Sequence, residues 1–84
     1  KLTPPDLKDR VEAAREHLRM SVLWKGEHVG IAEMKRHYSN YFRGIAHFKD
    51  FKTKLVSSFN LNEINETLNY IEEHSEEFTF VLAD

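Results

Sequence analysis

The strongest constraint in this sequence is a set of apolar stripes with helical spacing, separated by glycines and polar capping residues. One face of an α-helix accounts for the intervals of three and four residues between Leu7, Val11, Ala14, Leu18 and Val22. Thr3 and the prolines after it favour a helix start, and Lys25 followed by Gly26 favours a helix end. The sequence therefore predicts a first helix over residues 4–25.

Three further helices follow. The second lies between Gly26 and Gly44, and Gly30 weakens its first turn by about 1 kcal/mol relative to alanine. The third covers about residues 47–58, and the fourth begins at Asn60, which can cap it while the Glu63 side chain reaches back. The apolar stripes of these helices contain Ile31, Met34, Tyr38, Tyr41 and Ile45, then Phe48, Phe51, Leu55 and Phe59, then Leu61, Ile64, Leu68 and Ile71.

The last residues follow a different pattern. Phe78, Phe80 and Leu82 alternate with β-branched residues, a period of two that is typical of a strand. Because a single strand makes no sheet, this segment docks as an extended tail, pairs with another copy, or is disordered in isolation. The fold prediction is all-α: a small bundle of about four helices over residues 1–75, with an extended acidic C-terminal tail over residues 76–84.

Length and composition exclude several classes of protein. With 84 residues the chain is too short for a flavin-binding barrel, which needs roughly 250. The absence of cysteine excludes a disulfide framework and a thiolate zinc site, and it agrees with a cytoplasmic location. The longest apolar run has four residues, so we expect neither a membrane span nor a signal peptide. Because the chain begins at Lys1 without a methionine, we expect a piece of a longer protein.

Charge is distributed unevenly along the chain. Residues 35–59 contain six basic residues and one acidic residue, whereas residues 60–84 contain seven acidic residues and no basic one. The overall charge of −2 therefore conceals a basic middle segment, to which a polyanion can bind.

No complete active site is apparent. The three glycines are too dispersed for a phosphate-binding loop, and no two of the five histidines are four residues apart, as a zinc-binding helix requires. Glu33 and His37 share a helix face but supply only two metal ligands, and adjacent glutamates near the C-terminus point in different directions. We expect no catalytic residue, no cofactor and no metal in this chain.

The candidate binding site is the segment from Lys35 to Gly44. In helical geometry Arg36, Asn40 and Arg43 form one ridge of cationic and amide donors, with His37 and Tyr41 on its other side. Arginine binds phosphates, asparagine reads a base or a ribose, and histidine and tyrosine stack on bases. The alternative is a solvated basic face over an aromatic core, in which Tyr38 and Phe42 are buried.

Five short motifs in order resemble a known family. They are His17-Leu18-Arg19-Met20, Trp24-Lys25-Gly26-Glu27, Met34-Lys35-Arg36-His37, Tyr41-Phe42-Arg43-Gly44 and Asn60-Leu61-Asn62-Glu63-Ile64. The series resembles the C-terminal helical domain of bacterial tRNA-dihydrouridine synthases, in the B-type branch once labelled nitrogen-regulation proteins. The chain departs from that family at residues 45–47, where a Leu-Pro-Gly is common, and its acidic tail matches no part of it.

The resemblance implies a parent enzyme that reduces a uridine of tRNA with FMN, held in an N-terminal barrel, and with NADPH. The family's catalytic cysteine lies in that barrel, so this chain would keep only the helical domain that helps to hold the tRNA. The implied partners are tRNA and the parent's own barrel. The residues that match the family motif, and that the resemblance implies contact RNA, are Lys35, Arg36, His37, Tyr41 and Arg43, with Lys25 a weaker match.

Two other functions stay open on the sequence alone. The first is a protein-interaction domain that packs on its own barrel or self-associates through the tail, using exposed Trp24, Phe78 and Phe80. The second is an independent small enzyme, which the lack of an assembled catalytic set disfavours.

Overall fold

The computed structural model describes residues 7–79, and it confirms the all-α prediction. In this range the chain forms five α-helices and a closing 3-10 turn: α1 (Leu7–Lys25), α2 (Glu27–Met34), α3 (Tyr38–Tyr41), α4 (Lys49–Ser57), α5 (Leu61–Glu73) and the 3-10 turn Ser75–Glu77. Helix α1 packs against α2, α3 and α5, and α4 packs against α3 and α5. The predicted start of the first helix, and Phe80 and Leu82 of the tail, lie outside the described residues.

Most of the core comes from the apolar stripes that the sequence predicts, but Phe59 of the third stripe is exposed, and Val22, Tyr41, Phe51 and Leu61 are only half-buried. The buried apolar residues are Leu7, Val11, Ala14, Leu18, Ile31, Met34, Tyr38, Phe42, Ile45, Phe48, Leu55, Ile64, Leu68 and Ile71. Full burial of a side chain of the Leu, Ile or Phe type contributes about 1.5–3 kcal/mol relative to exposure. Packing along both sides of α1 therefore fixes the positions of the shorter helices.

A close contact between backbones joins α1 to α2. Gly26 links the two helices with φ +88°, a conformation that glycine adopts without strain. Gly30 is buried, and a Cβ atom at this position would lie 2.7 Å from the Cα of Val22. Gly30 therefore has a packing role, which outweighs its low helix propensity.

The prediction of one continuous helix between Gly26 and Gly44 is wrong. The chain leaves α-helical hydrogen bonding after Met34: the N–H of His37 donates to the C=O of Met34 at 2.9 Å, a contact to the third residue back. This tighter turn separates α2 from α3. Tyr38 and Phe42, which follow this turn in the chain, are both buried. The turn therefore allows both rings to pack into the core.

The start of α5 confirms one half of the predicted cap. The Oδ1 atom of Asn60 accepts a hydrogen bond from the N–H of Glu63 at 3.0 Å. The Glu63 side chain does not return it. Its Oε1 atom accepts from the hydroxyl of Ser58 at 2.9 Å, and the Oγ atom of Ser58 accepts from the N–H of Asn60 at 3.0 Å. A serine hydroxyl therefore bridges the glutamate and the backbone donor.

The beginning of the tail docks on its own chain. Phe78 is half-buried, with its ring centroid 5.2 Å from that of Phe51 and 5.9 Å from that of Phe48. The N–H of Ala46 donates to the C=O of Thr79 at 2.8 Å. The expectation that Phe78 is exposed is therefore wrong, because its ring completes an aromatic cluster beside α4.

No helix within residues 7–79 combines the length and the apolar character that crossing a membrane requires.

Gly30→Ala should lower the free energy of unfolding by about 1–3 kcal/mol, because the added methyl group overlaps the backbone of α1. Urea unfolding followed by circular dichroism measures this. The matched control is Val29→Ala, on the exposed face of the same helix, which should change stability by less than about 0.5 kcal/mol. A gain of about 1 kcal/mol in Gly30→Ala, the helix-propensity effect alone, would contradict the packing role.

Tyr38→Phe should leave stability at neutral pH unchanged or raise it by about 1 kcal/mol, because the buried hydroxyl has no hydrogen-bond partner among residues 7–79. Burial also raises the pKa of Tyr38 to about 12. The folded state thus keeps a proton that the unfolded state releases near pH 10, so stability falls by roughly 3 kcal/mol as pH rises from about 10 to 12. Unfolding at a series of alkaline pH values should show that Tyr38→Phe reduces this fall.

Candidate nucleic-acid interface

The five predicted RNA-contacting residues lie in and around α3. Lys35, Arg36 and His37 occupy the turn between α2 and α3, Tyr41 is the last residue of α3, and Arg43 lies in the turn after it. Their side chains do not form one uniform set. Lys35 contacts the loop before α5, whereas His37 and Tyr41 contact α1.

Lys35 is engaged within the molecule. Its Nζ atom lies 3.5 Å from the centroid of the Phe59 ring, a cation–π contact. Phe59 in turn stacks on His28, with ring centroids 4.5 Å apart and planes 13° from parallel. Because its ammonium already interacts with this ring, Lys35 is the least available of the five residues for a contact with an RNA phosphate.

Arg36 is open to solvent. Its side chain is 75% exposed, and its contact to the carboxylate of Glu33, at 3.7 Å, is long. The ammonium of Lys25 donates a hydrogen bond to the same carboxylate. That bond is the main cause that holds the pKa of Glu33 below its ordinary value, and the charge of Arg36 adds to it. Arg36 therefore keeps most of its N–H groups for an external acceptor.

Arg43 is exposed and is positioned by two polar contacts. Its Nη2 atom donates to Oδ1 of Asn40 at 3.1 Å, and its backbone C=O accepts from Nη1 of Arg10 at 2.8 Å. The Asn40–Arg43 part of the predicted ridge thus forms directly. Arg36 lies before α3, in the tight turn that breaks the predicted helix.

A polar aromatic cluster connects α3 to α1. The Nδ1 atom of His17 lies 2.9 Å from the hydroxyl oxygen of Tyr41, with which it shares a hydrogen bond. The ring of His17 also contacts that of His37, with centroids 4.6 Å apart. All three side chains are half-buried, so each keeps part of its surface in water.

Sequence reasoning missed His17 and Arg10 as members of this surface. Both lie on α1, two turns apart and thus on one face, but nothing local indicates that this face meets α3. The one available signal was the first of the five motifs, which begins with His17.

The ion pair of α5 lies on a different face of α1 from the cluster of His17 and Tyr41. Glu72 pairs with Arg15 at 3.0 Å, and Asn69 accepts from the same guanidinium at 2.6 Å. Within residues 7–79, neither Arg36 nor Arg43 forms an ion pair with a carboxylate of α5 or of the turn after it. The cations around α3 are therefore not neutralised by the described part of the acidic segment.

The groove between α4 and α5 does not fit a flavin nucleotide. Phe51 and Tyr70 form its apolar walls, but two carboxylates, Glu63 and Glu66, line it beside the single ammonium of Lys54. These carboxylates would repel the phosphate of FMN. Among residues 7–79, no three histidine or acidic side chains come close enough to hold a metal ion.

The site thus consists of two exposed arginines, an asparagine amide, and two imidazoles beside a phenol, on α3 and the adjoining face of α1. Such a set can bind phosphate oxygens and can stack on bases. Comparisons of the sequence with protein-family models, with curated proteins and with solved structures return no match.

Proposed function

We propose that this chain is a tRNA-binding helical domain of an FMN-dependent tRNA-dihydrouridine synthase. Its role is to position tRNA so that a barrel domain, which is not part of this chain, reduces a uridine. The observation that carries the proposal is the pair of exposed arginines, Arg36 and Arg43, on either side of α3. The five ordered motifs supply the family and the substrate class.

Several features support RNA as the ligand of this surface. The basic segment 35–59 has a net charge of +5, and phosphate contacts provide most of the affinity of proteins for nucleic acids. Asn40, held at 3.1 Å by Arg43, presents an amide beside these cations, and Tyr41 and His37 present partly exposed rings. This combination of charge, amide and ring is suited to folded or single-stranded RNA.

The proposed mechanism is positioning. Arg36 and Arg43 bind phosphates of the tRNA backbone, which fixes the register of the RNA on the domain. A uridine inside folded RNA is inaccessible to a flavin, so the parent's barrel must receive the base after it leaves its stack. The contacts made here offset part of the free energy that this unstacking costs.

FMN and NADPH belong to the proposed parent's barrel. The groove between α4 and α5 does not fit the phosphates of either cofactor, because the carboxylates of Glu63 and Glu66 line it. We assign no chemical step to this chain.

The charge-reversal variant Arg36→Glu plus Arg43→Glu tests the proposal. The wild-type domain should bind bulk tRNA with a Kd of roughly 10⁻⁴–10⁻⁶ M at physiological salt. The variant should bind roughly tenfold or more weakly, and the slope of log Kd against log salt concentration should fall by about 2, one for each lost phosphate contact. Filter binding across a salt series measures both quantities.

The matched control is Arg19→Glu plus Lys54→Glu, which makes the same change in net charge away from α3. Arg19 pairs with Glu16 on α1, and Lys54 lies in the α4–α5 groove. This variant should keep most of the affinity and the salt slope. Equal losses in both variants, or salt-independent binding, would contradict a specific surface around α3.

A second candidate function is protein interaction through the end of α1. Trp24 is 77% exposed and Leu23 is 70% exposed, and Met20 lies on the same helix face. Exposed large apolar groups at adjacent positions are typical of a contact surface. The sequence-based alternative names Trp24 together with Phe78 and Phe80, and of the two described members Trp24 is exposed whereas Phe78 is half-buried.

The fluorescence of Trp24, the sole tryptophan, tests self-association. For a monomer, the emission should be that of a water-exposed indole and should not change with protein concentration. A blue shift with increasing concentration, abolished by Leu23→Ser, would show that a second copy covers this surface. Sedimentation velocity on the same samples provides the control for mass.

A further inference from the structure

We propose that His17, His37 and Tyr41 form a proton-coupled binding site for a phosphate group of the RNA backbone. The inference deepens the RNA-binding function proposed above and rests on it. It adds His17, a residue of α1, to the interface and states how the affinity of the interface depends on pH.

The geometry of the cluster explains the coupling. The rings of His17 and His37 have centroids 4.6 Å apart, and Nδ1 of His17 is 2.9 Å from the hydroxyl oxygen of Tyr41. While His17 is neutral with Nδ1 unprotonated, the Tyr41 hydroxyl donates to that nitrogen and its hydrogen is occupied. In this state the Nε2–H of His17 and one N–H of His37 can still donate to an anion, but the hydroxyl of Tyr41 cannot.

Protonation reverses this hydrogen bond. A protonated His17 donates from Nδ1 to the Tyr41 oxygen, which frees the phenolic hydrogen to point outward. The Nε2–H group of His17, the N–H groups of His37 and the hydroxyl of Tyr41 then all act as donors. Since each of the three side chains is partly exposed, a phosphate oxygen can reach them.

The carboxylates that lie nearest to the cluster along α1 and α2 are each paired with a cation. On α1, Arg10 lies two turns before His17, and the adjacent Glu16 pairs with Arg19. On α2, Glu33 lies one turn before His37 but is held by Lys25.

The remaining charges near the cluster are positive. They belong to Arg36, beside His37, and to Arg43, two residues after Tyr41. On α5, Glu72 pairs with Arg15, which lies on another face of α1. A proton on the imidazole pair therefore adds to a local excess of positive charge, and a bound phosphate compensates it.

Imidazole is the side chain that changes charge between pH 5 and 8, so the coupling falls in a measurable range. If binding takes up one proton, the affinity increases about tenfold for each unit by which the pH falls. We expect wild-type protein to bind bulk tRNA at least roughly tenfold more tightly at pH 5.5 than at pH 7.5, at constant salt.

The variant His17→Gln plus His37→Gln should lose this pH dependence, since glutamine keeps a polar side chain of similar reach but takes up no proton between pH 5 and 8. The control is His28→Gln plus His74→Gln, which removes two imidazoles that stack on Phe59 and Tyr70 instead. The control should keep the wild-type pH dependence. An unchanged pH slope in the His17/His37 variant, or a slope lost in the control, overturns the proposal.

A measurement on the wild-type protein tests the proposal even if the His17/His37 variant does not fold. Calorimetric titration with tRNA near pH 6.5, in buffers of different ionisation enthalpy, gives the number of protons taken up on binding. Uptake of about one proton supports the site, and uptake near zero overturns it. If tRNA binds but no proton is taken up, this inference alone fails; if tRNA does not bind at any pH, the proposed function fails with it.

Discussion

The contact between Gly30 and the backbone of Val22 determines how the rest of the molecule is arranged. It allows α2 to lie directly on the end of α1, so the chain reverses direction over the single residue Gly26. Because α2 is held at backbone distance, the tight turn after Met34 brings α3 back onto α1. Tyr38 is then buried and Tyr41 reaches His17. The surface proposed to bind RNA thus depends on a glycine that contributes no side chain to it.

Helix α1 divides the polar groups of the domain into two sets. On the side facing α5, the guanidinium of Arg15 binds the carboxylate of Glu72 and the amide oxygen of Asn69. On the side facing α3, Arg10 and His17 meet groups that carry few negative charges. The division separates the carboxylate of Glu72 from the cations around α3, in a sequence that is nearly neutral as a whole.

Periodicity in the sequence was sufficient to predict the all-α fold, most helices and nearly the whole core, because burial follows the spacing of apolar residues. It could not predict the break before Tyr38, since residues 35–37 contain neither glycine nor proline and the break arises from packing. It also could not predict the contact between His17 and Tyr41, which are 24 residues apart. The error at Phe78 has the same origin: an alternating pattern does not reveal that Phe48 and Phe51 provide a docking surface.

The hydrogen bond from Ala46 to Thr79 has a consequence for how a long ligand can approach. It holds Thr79 against Ala46, three residues after Arg43, and the exposed Glu76 and Glu77 precede Thr79 by three and two residues. A rod-shaped polyanion that extended from α3 over this segment would be repelled by the carboxylates of Glu76 and Glu77 and attracted by the cations around α3. These two carboxylates therefore restrict the directions in which a nucleic acid can lie across α3.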